Sequence, residues 1–479
     1  VIHTYTAEQV RLAEAAALDR EGQSALMSRA AFAVARETLA RLAHPVPGRR
    51  AVLLVGTGNN GGDALFAGAF LRRRGVSVTA LITDPQRMHE AGAAALRRAG
   101  GRIVPVSLAH TVLDRALALI GSAEVVIDGL VGLMARPPLR PLADTLVRAA
   151  NRSGALRVAV DVPSGLDPDL GPVEGEAFAA DLVVTFGGIK TGLALGVEDA
   201  DVVLADLGID FTGVEPDTEV FTDVDVADLL RPPGPADDKF SQGVLGIAAG
   251  SPQYPGAAVL SVGAAVRLRP GLVRYAGAQS AAVLHTWPEV VATDSVTEAG
   301  RVQAWTVGPG LGLTEVSLAT LAAVLDFDGP VQVDADGLTL LSRHPELLER
   351  RRDRPTVLTP HAGEFGRLFP DIPLDDRLAA VRTAAQRTGV TVLLKGHRTL
   401  VASVGRTAVN RSGSAWLATA GSGDVLSGVI GSLLAHGVPP FEAAAAGAHL
   451  HGRAGERAGT ARAAGARSLW DHLAGASFA

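Results

Sequence analysis

Short apolar runs recur along the chain at 51–55, 76–82, 102–106, 124–128, 157–161 and 181–186, and again at 244–249, 304–307, 330–334, 356–359, 391–394 and 399–403. Longer alanine-rich segments separate them. Apolar runs bounded by turn residues read as strands buried on both faces, and the spacers are long enough for crossover helices. The pattern therefore predicts α/β architecture with parallel sheets covered on both sides. Residues 212–240 break the rhythm with Pro216, Pro232, Pro233 and Pro235 among many acidic residues. A domain boundary is placed there, near residue 220, giving domains 1–220 and 221–479. The halves share a class but no repeat that can be aligned.

Length agrees with two domains, since 479 residues exceed what one hydrophobic core usually supports. The balance of 44 basic against 50 acidic residues gives −6, without a long basic block. Neither nucleic acid nor an anionic membrane is expected as a partner. There is no cysteine, which excludes disulfides, thiolate metal sites and thiol catalysis. The most apolar long stretch, 116–135, is interrupted by Glu124, Asp128 and glycines, so it reads as helix, turn and strand instead of a membrane span. The opening residues Val1 to Tyr5 show no basic stretch followed by an apolar core, so no secretion signal and a cytoplasmic location are expected.

Candidate chemistry begins at GTGNNGGD, residues 56–63, between the run 51–55 and a helix-like segment from Ala64 to Arg74. Three of its glycines fit G-x-G-x-x-G. A glycine turn between strand and helix lets a ligand approach the backbone, and the helix start favours an anion. A dinucleotide reading would use Asp84 for a ribose. Asp63, however, puts a negative charge at the same helix start, and Asn59 and Asn60 add oxygens that suit a hard cation. A plainer alternative makes the asparagines left-handed turn residues and Asp63 a helix cap. Two later strands, 125–130 and 158–166, also run out into an acidic residue and a glycine turn. Ligands bind beyond the carboxyl ends of open parallel sheets, so Asn60, Asp128, Asp161 and Ser164 can converge on one crevice.

GTGNNGGD, DGLVG and DVPSGLDPD, with the start Tyr5-Thr6-Ala7-Glu8-Gln9-Val10 and Met27, resemble the N-terminal domain of the bifunctional NAD(P)HX repair enzymes over residues 1–210. The resemblance implies a Rossmann-like, doubly wound parallel-sheet domain that epimerises (R)- and (S)-NAD(P)HX, the hydrated nicotinamide cofactors. Carried over by motif, Asn59, Asn60, Gly61, Gly62 and Asp63 hold the substrate with the loop Gly132, Leu133, Met134, Ala135, Arg136, Pro137 and Pro138. Asn60, Asp128 and Ser164 bind a potassium ion. Asp161 contacts the nicotinamide as the proton-transfer group. Where the family usually has Gly-Thr-Gly-Leu, this loop reads Gly132-Leu133-Met134-Ala135.

In the second half, Ala418 to Leu426 reads ATAGSGDVL and leads into an apolar helix pattern. A G-x-G-D turn opening a helix presents backbone N–H groups to an anion with a carboxylate beside them. Those parts suit phosphoryl transfer, the amides taking charge on the moving phosphate and the aspartate taking a hydroxyl proton. A cap role for Asp424 is the structural alternative. Lys395 and Thr399, at the end of another strand, add groups for a nucleotide phosphate.

GVLGIAAGSPQYPGAAVLS, VGPGLG, VDADGL, TPHAGEFGRL, LKGHRT and AGSGDVLSG are similar to the ribokinase-like dehydratase domain of the same repair enzymes over roughly 237–455. The resemblance implies that Lys395, Gly396, His397, Arg398, Thr399, Gly421, Ser422 and Gly423 bind the nucleotide, ADP in bacterial members. Ala257, Gly310, Gly312, His361 and Asp424 face the S-form substrate, with Asp424 as catalytic base. Thr339 stands where the family often has asparagine. Magnesium is expected with ADP, the substrates are NADHX and NADPHX, and a homo-oligomer is expected. The competing reading is a ribokinase-like small-alcohol kinase whose N-terminal domain binds nucleotide as a non-catalytic sensor.

Overall fold

The computed structural model describes residues 1–134, 136–197, 200–230, 232–461 and 465–476. Two compact units divide the chain, His3–Asp217 and Thr218–Ala479, the latter with Val1–Ile2.

In the first unit the strands are β1 (Ile2–Tyr5), β2 (Arg50–Val55), β3 (Ser77–Ile82), β4 (Arg102–Pro105), β5 (Val125–Gly129), β6 (Leu156–Val160), β7 (Leu182–Phe186), β8 (Ile189–Lys190) and β9 (Asp201–Ala205). Seven of them form one sheet in the order β4-β3-β2-β5-β6-β7-β9, and every pairing in it is parallel. The chain winds outward from β2 to β4 and then restarts at β5 on the other side of β2. That reversal is the doubly wound, Rossmann-like arrangement, with a crevice beyond the ends of β2 and β5. The alternation of side chains makes both faces apolar. Leu53 and Val55 join Ala30, Val34, Leu65 and Leu96 of the helices Gln23–Arg41, Asn59–Arg73 and Glu90–Arg98, while Val52 and Leu54 join Ala116, Ile120, Leu146 and Val147 of His110–Gly121 and Pro141–Asn151.

The second unit is built on β10 (Thr218–Val220), β11 (Val244–Ala248), β12 (Leu272–Ala276), β13 (Val291–Thr293), β14 (Ala304–Val307), β15 (Val331–Val333), β16 (Thr356–Leu358), β17 (Thr391–Leu394), β18 (Thr399–Ser403) and β19 (Arg406–Asn410). Their order is β13-β12-β11-β14-β15-β16-β17-β18-β19-β10. The pairings are parallel except for the hairpin strand β18, antiparallel to both β17 and β19. Here the winding reverses between β11 and β14. Helices Pro255–Arg267, Ser422–Ala435 and Pro440–Thr460 supply much of the largest apolar cluster. Among the described residues no helix is long and apolar enough to cross a membrane.

Candidate functional site

The turn after β2 is built by close approach. A Cβ on Gly56 would lie 1.8 Å from the Leu130 carbonyl oxygen, so only glycine lets the β2 and β5 ends meet there. Gly58, at φ 89°, then turns the chain, and the helix Asn59–Arg73 starts immediately after it. This corrects the helix start expected at Ala64. Asn59 and Asn60 are the first helical residues and not left-handed turn formers, and Asp63 lies past the first turn and caps nothing. The Gly-Asn run hides the helix start because its propensity is poor, while contacts such as that of Gly61 with the Gly56 carbonyl fix it.

Asp128 and Ser164 come together as the strand ends suggested. The Ser164 backbone N–H donates to Asp128 Oδ2 and its hydroxyl to Oδ1, each at 2.7 Å; the Leu130 N–H adds a bond of 3.2 Å. Burial raises the Asp128 carboxyl above its ordinary value, and these donors oppose the shift. The Asn60 side-chain amide donates to the backbone carbonyls of Val131 at 2.6 Å and Val160 at 2.8 Å.

Beside this cluster lies a cavity of about 430 Å³ whose walls include Glu14, Met27, Asn59, Asn60, Asp63 and Asp161. Asp161 leaves β6 in the left-handed region at φ 67°, a backbone state costing roughly 1–3 kcal/mol that recurs at functional sites. Its Oδ1 accepts from Thr185 Oγ1 at 3.0 Å, from the Phe186 N–H at 3.3 Å and from Lys190 Nζ in a short ion pair. Lys190 is fully buried and also donates to Thr185 Oγ1 at 3.1 Å and the Phe186 carbonyl at 2.9 Å. Two further carboxyls line the cavity with Asp161. Burial, with Asp161 and Glu14 adding negative charge, lifts Asp63 well above its ordinary value, and Asp63 Oδ1 is buried without a partner among the described residues. Burial also pushes Glu14 up to about 7, Lys190 opposing and Asp161 adding. Glu14 and Lys190 escape sequence reading, since one acid among several in an alanine-rich helix and a lone lysine in GGIKTGL look like surface residues.

The loop 132–138 divides. Gly132, Leu133 and Met134 line the cavity, whereas Arg136 turns to Asp167 at 3.4 Å and Pro138 lies against Gly175. Pro137 is not among the lining residues, and Ala135 lies outside the described residues. Gly61 and Gly62 are buried in packing, Gly62 against His89 and Met27.

In the second unit a cavity of about 580 Å³ gathers His361, Lys395, Gly396, His397, Thr399, Ser422 and Gly423. The 395–398 segment is the β17–β18 hairpin turn, which aims these groups beyond the sheet. Arg398 points elsewhere, donating to the Arg411 carbonyl at 2.9 Å. Gly421, at φ 86°, precedes the helix Ser422–Ala435. Lys395 Nζ sits 2.8 Å from Asp334 Oδ1 and 3.7 Å from Glu364 Oε2. Burial disfavours its charge, but Asp334, Glu364 and Asp424 outweigh that and raise its pKa. Asp334 Oδ2 accepts from Ser427 Oγ at 2.7 Å. Asp424, in the first turn of the helix, is pushed up to about 7 by burial and by Asp334, with Lys395 opposing and Asp336 adding. Asp336 Oδ2 accepts from the Gly312 N–H at 2.8 Å and Gly310 packs against Ala257 and Tyr254; Ala257, Gly310, Gly312 and Asp424 are not among the residues lining the 580 Å³ cavity. His451, unforeseen in the sequence, lines that cavity and is held neutral, lowered to about 4 by burial.

These features define a chain of two α/β units, one Rossmann-like with an acid-lined cavity and one whose cavity gathers Lys395 and the start of the helix Ser422–Ala435. Residues 23–192 match the family model described as YjeF-related protein N-terminus, and residues 245–474 match that of NAD(P)H-hydrate dehydratase. The chain is 49% identical over 448 residues to the bifunctional NAD(P)H-hydrate repair enzyme Nnr of Mycobacterium tuberculosis, covering 92% of this chain and 91% of that one. It is 48% identical to that of Mycobacterium leprae, covering 94% and 93%. A ribokinase-like superfamily protein of Enterococcus faecalis superposes with a TM-score of 0.50 at 24% identity, over 54% of this chain and 94% of that one, which shows the second unit's fold to be ribokinase-like. The chain belongs to the bifunctional NAD(P)H-hydrate repair enzymes.

Proposed function

We propose that residues 1–220 interconvert (R)- and (S)-NAD(P)HX and that residues 221–479 dehydrate the S form to NAD(P)H with ADP, giving AMP and phosphate. The observation that carries the second half is Asp424, a carboxyl pushed up to about 7 in the first turn of a helix whose start lines the larger cavity. A base with a pKa near the working pH is best matched to taking a proton in the transition state. Asp424 accepts the proton of the C6 hydroxyl as that oxygen bonds to the terminal phosphorus of ADP and AMP leaves. The N–H groups at Gly421, Ser422 and Gly423 stabilise charge on the transferring group. Phosphate leaves readily where hydroxide would not, expelled by the ring-nitrogen lone pair, and loss of a C5 proton from the resulting iminium completes the C5=C6 bond of NAD(P)H.

Lys395, Gly396, His397, Arg398 and Thr399 form the nucleotide hairpin, with His361, Ala257, Gly310 and Gly312 on the substrate side. Among the described residues no cluster of three or more His, Cys, Asp and Glu is arranged to hold a metal. Magnesium bound with ADP would screen the charge of its phosphates.

In the first unit Asp161, ion-paired with Lys190, is the proton-transfer group. Asn59, Asn60, Gly61, Gly62, Asp63 and the 132–138 loop surround the substrate. The side-chain oxygens of Asn60, Asp128 and Ser164 are hard donors of the kind that suits a potassium ion. The enzyme acts in the cytoplasm as a homo-oligomer. The test is product analysis with (S)-NADHX, ADP and magnesium. NADH, AMP and phosphate in equal amounts support the proposal; a stable phosphoester without NADH returns the chain to the kinase reading.

A further inference from the structure

The first cavity holds more acid than its proton-transfer group needs. Asp161 reaches it from the carboxyl end of β6, and Glu14 reaches it from the helix Ala7–Glu21. All three described donors to the Asp161 side chain converge on Oδ1, so no described residue donates to Oδ2. The Glu14 carboxyl rests against Gly187, where an added Cβ would come within 3.5 Å of Oε1. Of the charged groups around Glu14, Lys190 pairs with Asp161, Asp63 is raised well above its ordinary value by burial and its acidic neighbours, and Arg11, on the same helix, lies at the cavity wall and is bonded to Glu8 at 2.6 Å. Asp161, Asp63 and Glu14 all line the cavity, the Lys190 ammonium is paired to Asp161, and Glu14, pushed up to about 7, can both give and retake a proton.

Resting on the assignment of epimerisation to this unit, we propose that Glu14 is a second catalytic residue, the acid that protonates the nicotinamide ring nitrogen N1 while Asp161 takes the C6 hydroxyl proton. C6 of the hydrated ring carries both a hydroxyl and N1, so it is a hemiaminal carbon. Loss of the hydroxyl proton to Asp161 forms the C6=O bond, the C6–N1 bond breaks with its electron pair going to N1, and Glu14 protonates N1. The open form is an aldehyde with an enamine N–H. Rotation about C5–C6 presents the other carbonyl face, N1 attacks it, Glu14 takes back the N1 proton and Asp161 returns its proton to the oxygen. Atoms and electrons balance without an oxidant, and the hydroxyl oxygen is kept. Loss and return of water is the alternative route, and it passes through the same iminium that leads to NADH. Two carboxyls in one cavity, Asp161 ion-paired with Lys190 and Glu14 raised by burial, serve ring opening, which moves two protons at once.

The experiment follows R-to-S exchange in the full-length enzyme without ADP, with thermal melting of the same samples as a fold control and dehydration of (S)-NADHX plus ADP as a check on the second unit. Glu14→Gln is expected to lower the exchange kcat ~10²–10⁴-fold, the usual range for a general acid, with KM and dehydration unchanged. In the wild type the exchange kcat falls as pH rises through about 7, since Glu14 must carry its proton, and Glu14→Gln removes that alkaline limb. Glu14→Asp keeps the limb at a lower kcat, and it decides the matter if Glu14→Gln loses the fold control. Exchange at the wild-type kcat in either variant, a change confined to KM, or an unaltered alkaline limb in Glu14→Gln would overturn the role. Failure of the parent assignment looks different: wild-type enzyme with normal dehydration and no exchange at any pH.

Discussion

Ser164 gives Asp128 two hydrogen bonds, from its backbone N–H and its hydroxyl, each 2.7 Å long, in a site where both residues are 1% exposed. A carboxylate so deeply buried depends on its donors, because an unmet charge there carries the full desolvation cost. The pair ties the β5 end to the turn after β6 and sets the floor on which Asn60 and the first cavity rest.

Ser164→Ala removes the hydroxyl and leaves the backbone donor. The expected destabilisation is ~1.5–3 kcal/mol, the range for a bond to a charged group. Thermal melts in potassium and in sodium check it. The wild type should be stabilised more by potassium than by sodium, and the variant should lose most of that difference together with R-to-S exchange. Equal responses of variant and wild type to the two salts would remove Ser164 from the cation site.

Lys190→Met strands Asp161 in the interior and should cost ~3–5 kcal/mol, the usual penalty for removing one partner of a buried pair. Adding Asp161→Asn should restore much of that stability, because the uncompensated charge is gone, while exchange activity stays lost in the single and double variants. Denaturant unfolding of the four members of the cycle measures the coupling. Additive losses would mean that the ion pair does not hold these residues together.

Asp424→Asn should separate stability from activity. The folded enzyme keeps a proton on Asp424 up to about 7, whereas the unfolded chain releases it near 3.8. The folded state therefore binds more protons between those values, and stability falls as pH rises through that window. The variant, which never charges, should melt above the wild type at pH 8 and close to it at pH 4. Dehydration should drop ~10²–10⁴-fold, and in the wild type its rate should rise with pH through about 7. Identical melting curves at pH 8 would contradict the buried charge.

Much of this was legible in the sequence because the chemistry sits where apolar runs stop. Asp128, Asp161 and the GSGD turn each follow or open a regular element, and parallel sheets put such ends at one edge. The strands β12, β13 and β19 were not legible: Arg274 interrupts β12, β13 is only Val291–Thr293, and β19 opens on Arg406 and Thr407. The helix start at Asn59 was hidden by four residues of poor helix propensity. Lys190 is invisible as a core residue because its burial comes from Asp161, twenty-nine positions away. For the same reason the Lys395–Asp334 pair, 61 positions apart, could be met only in the fold, although each residue stood in a motif already noted.

The most direct test of two linked repair activities in one chain starts from (R)-NADHX alone, with ADP, magnesium and potassium, and follows the absorbance of the reduced nicotinamide. Wild-type enzyme should recover NADH fully. Asp161→Asn should recover it only at the rate of spontaneous epimerisation while still dehydrating (S)-NADHX at the wild-type rate, and Asp424→Asn should accumulate (S)-NADHX without NADH. Full-speed recovery by Asp161→Asn, or a wild-type enzyme that leaves (R)-NADHX untouched, would contradict the account.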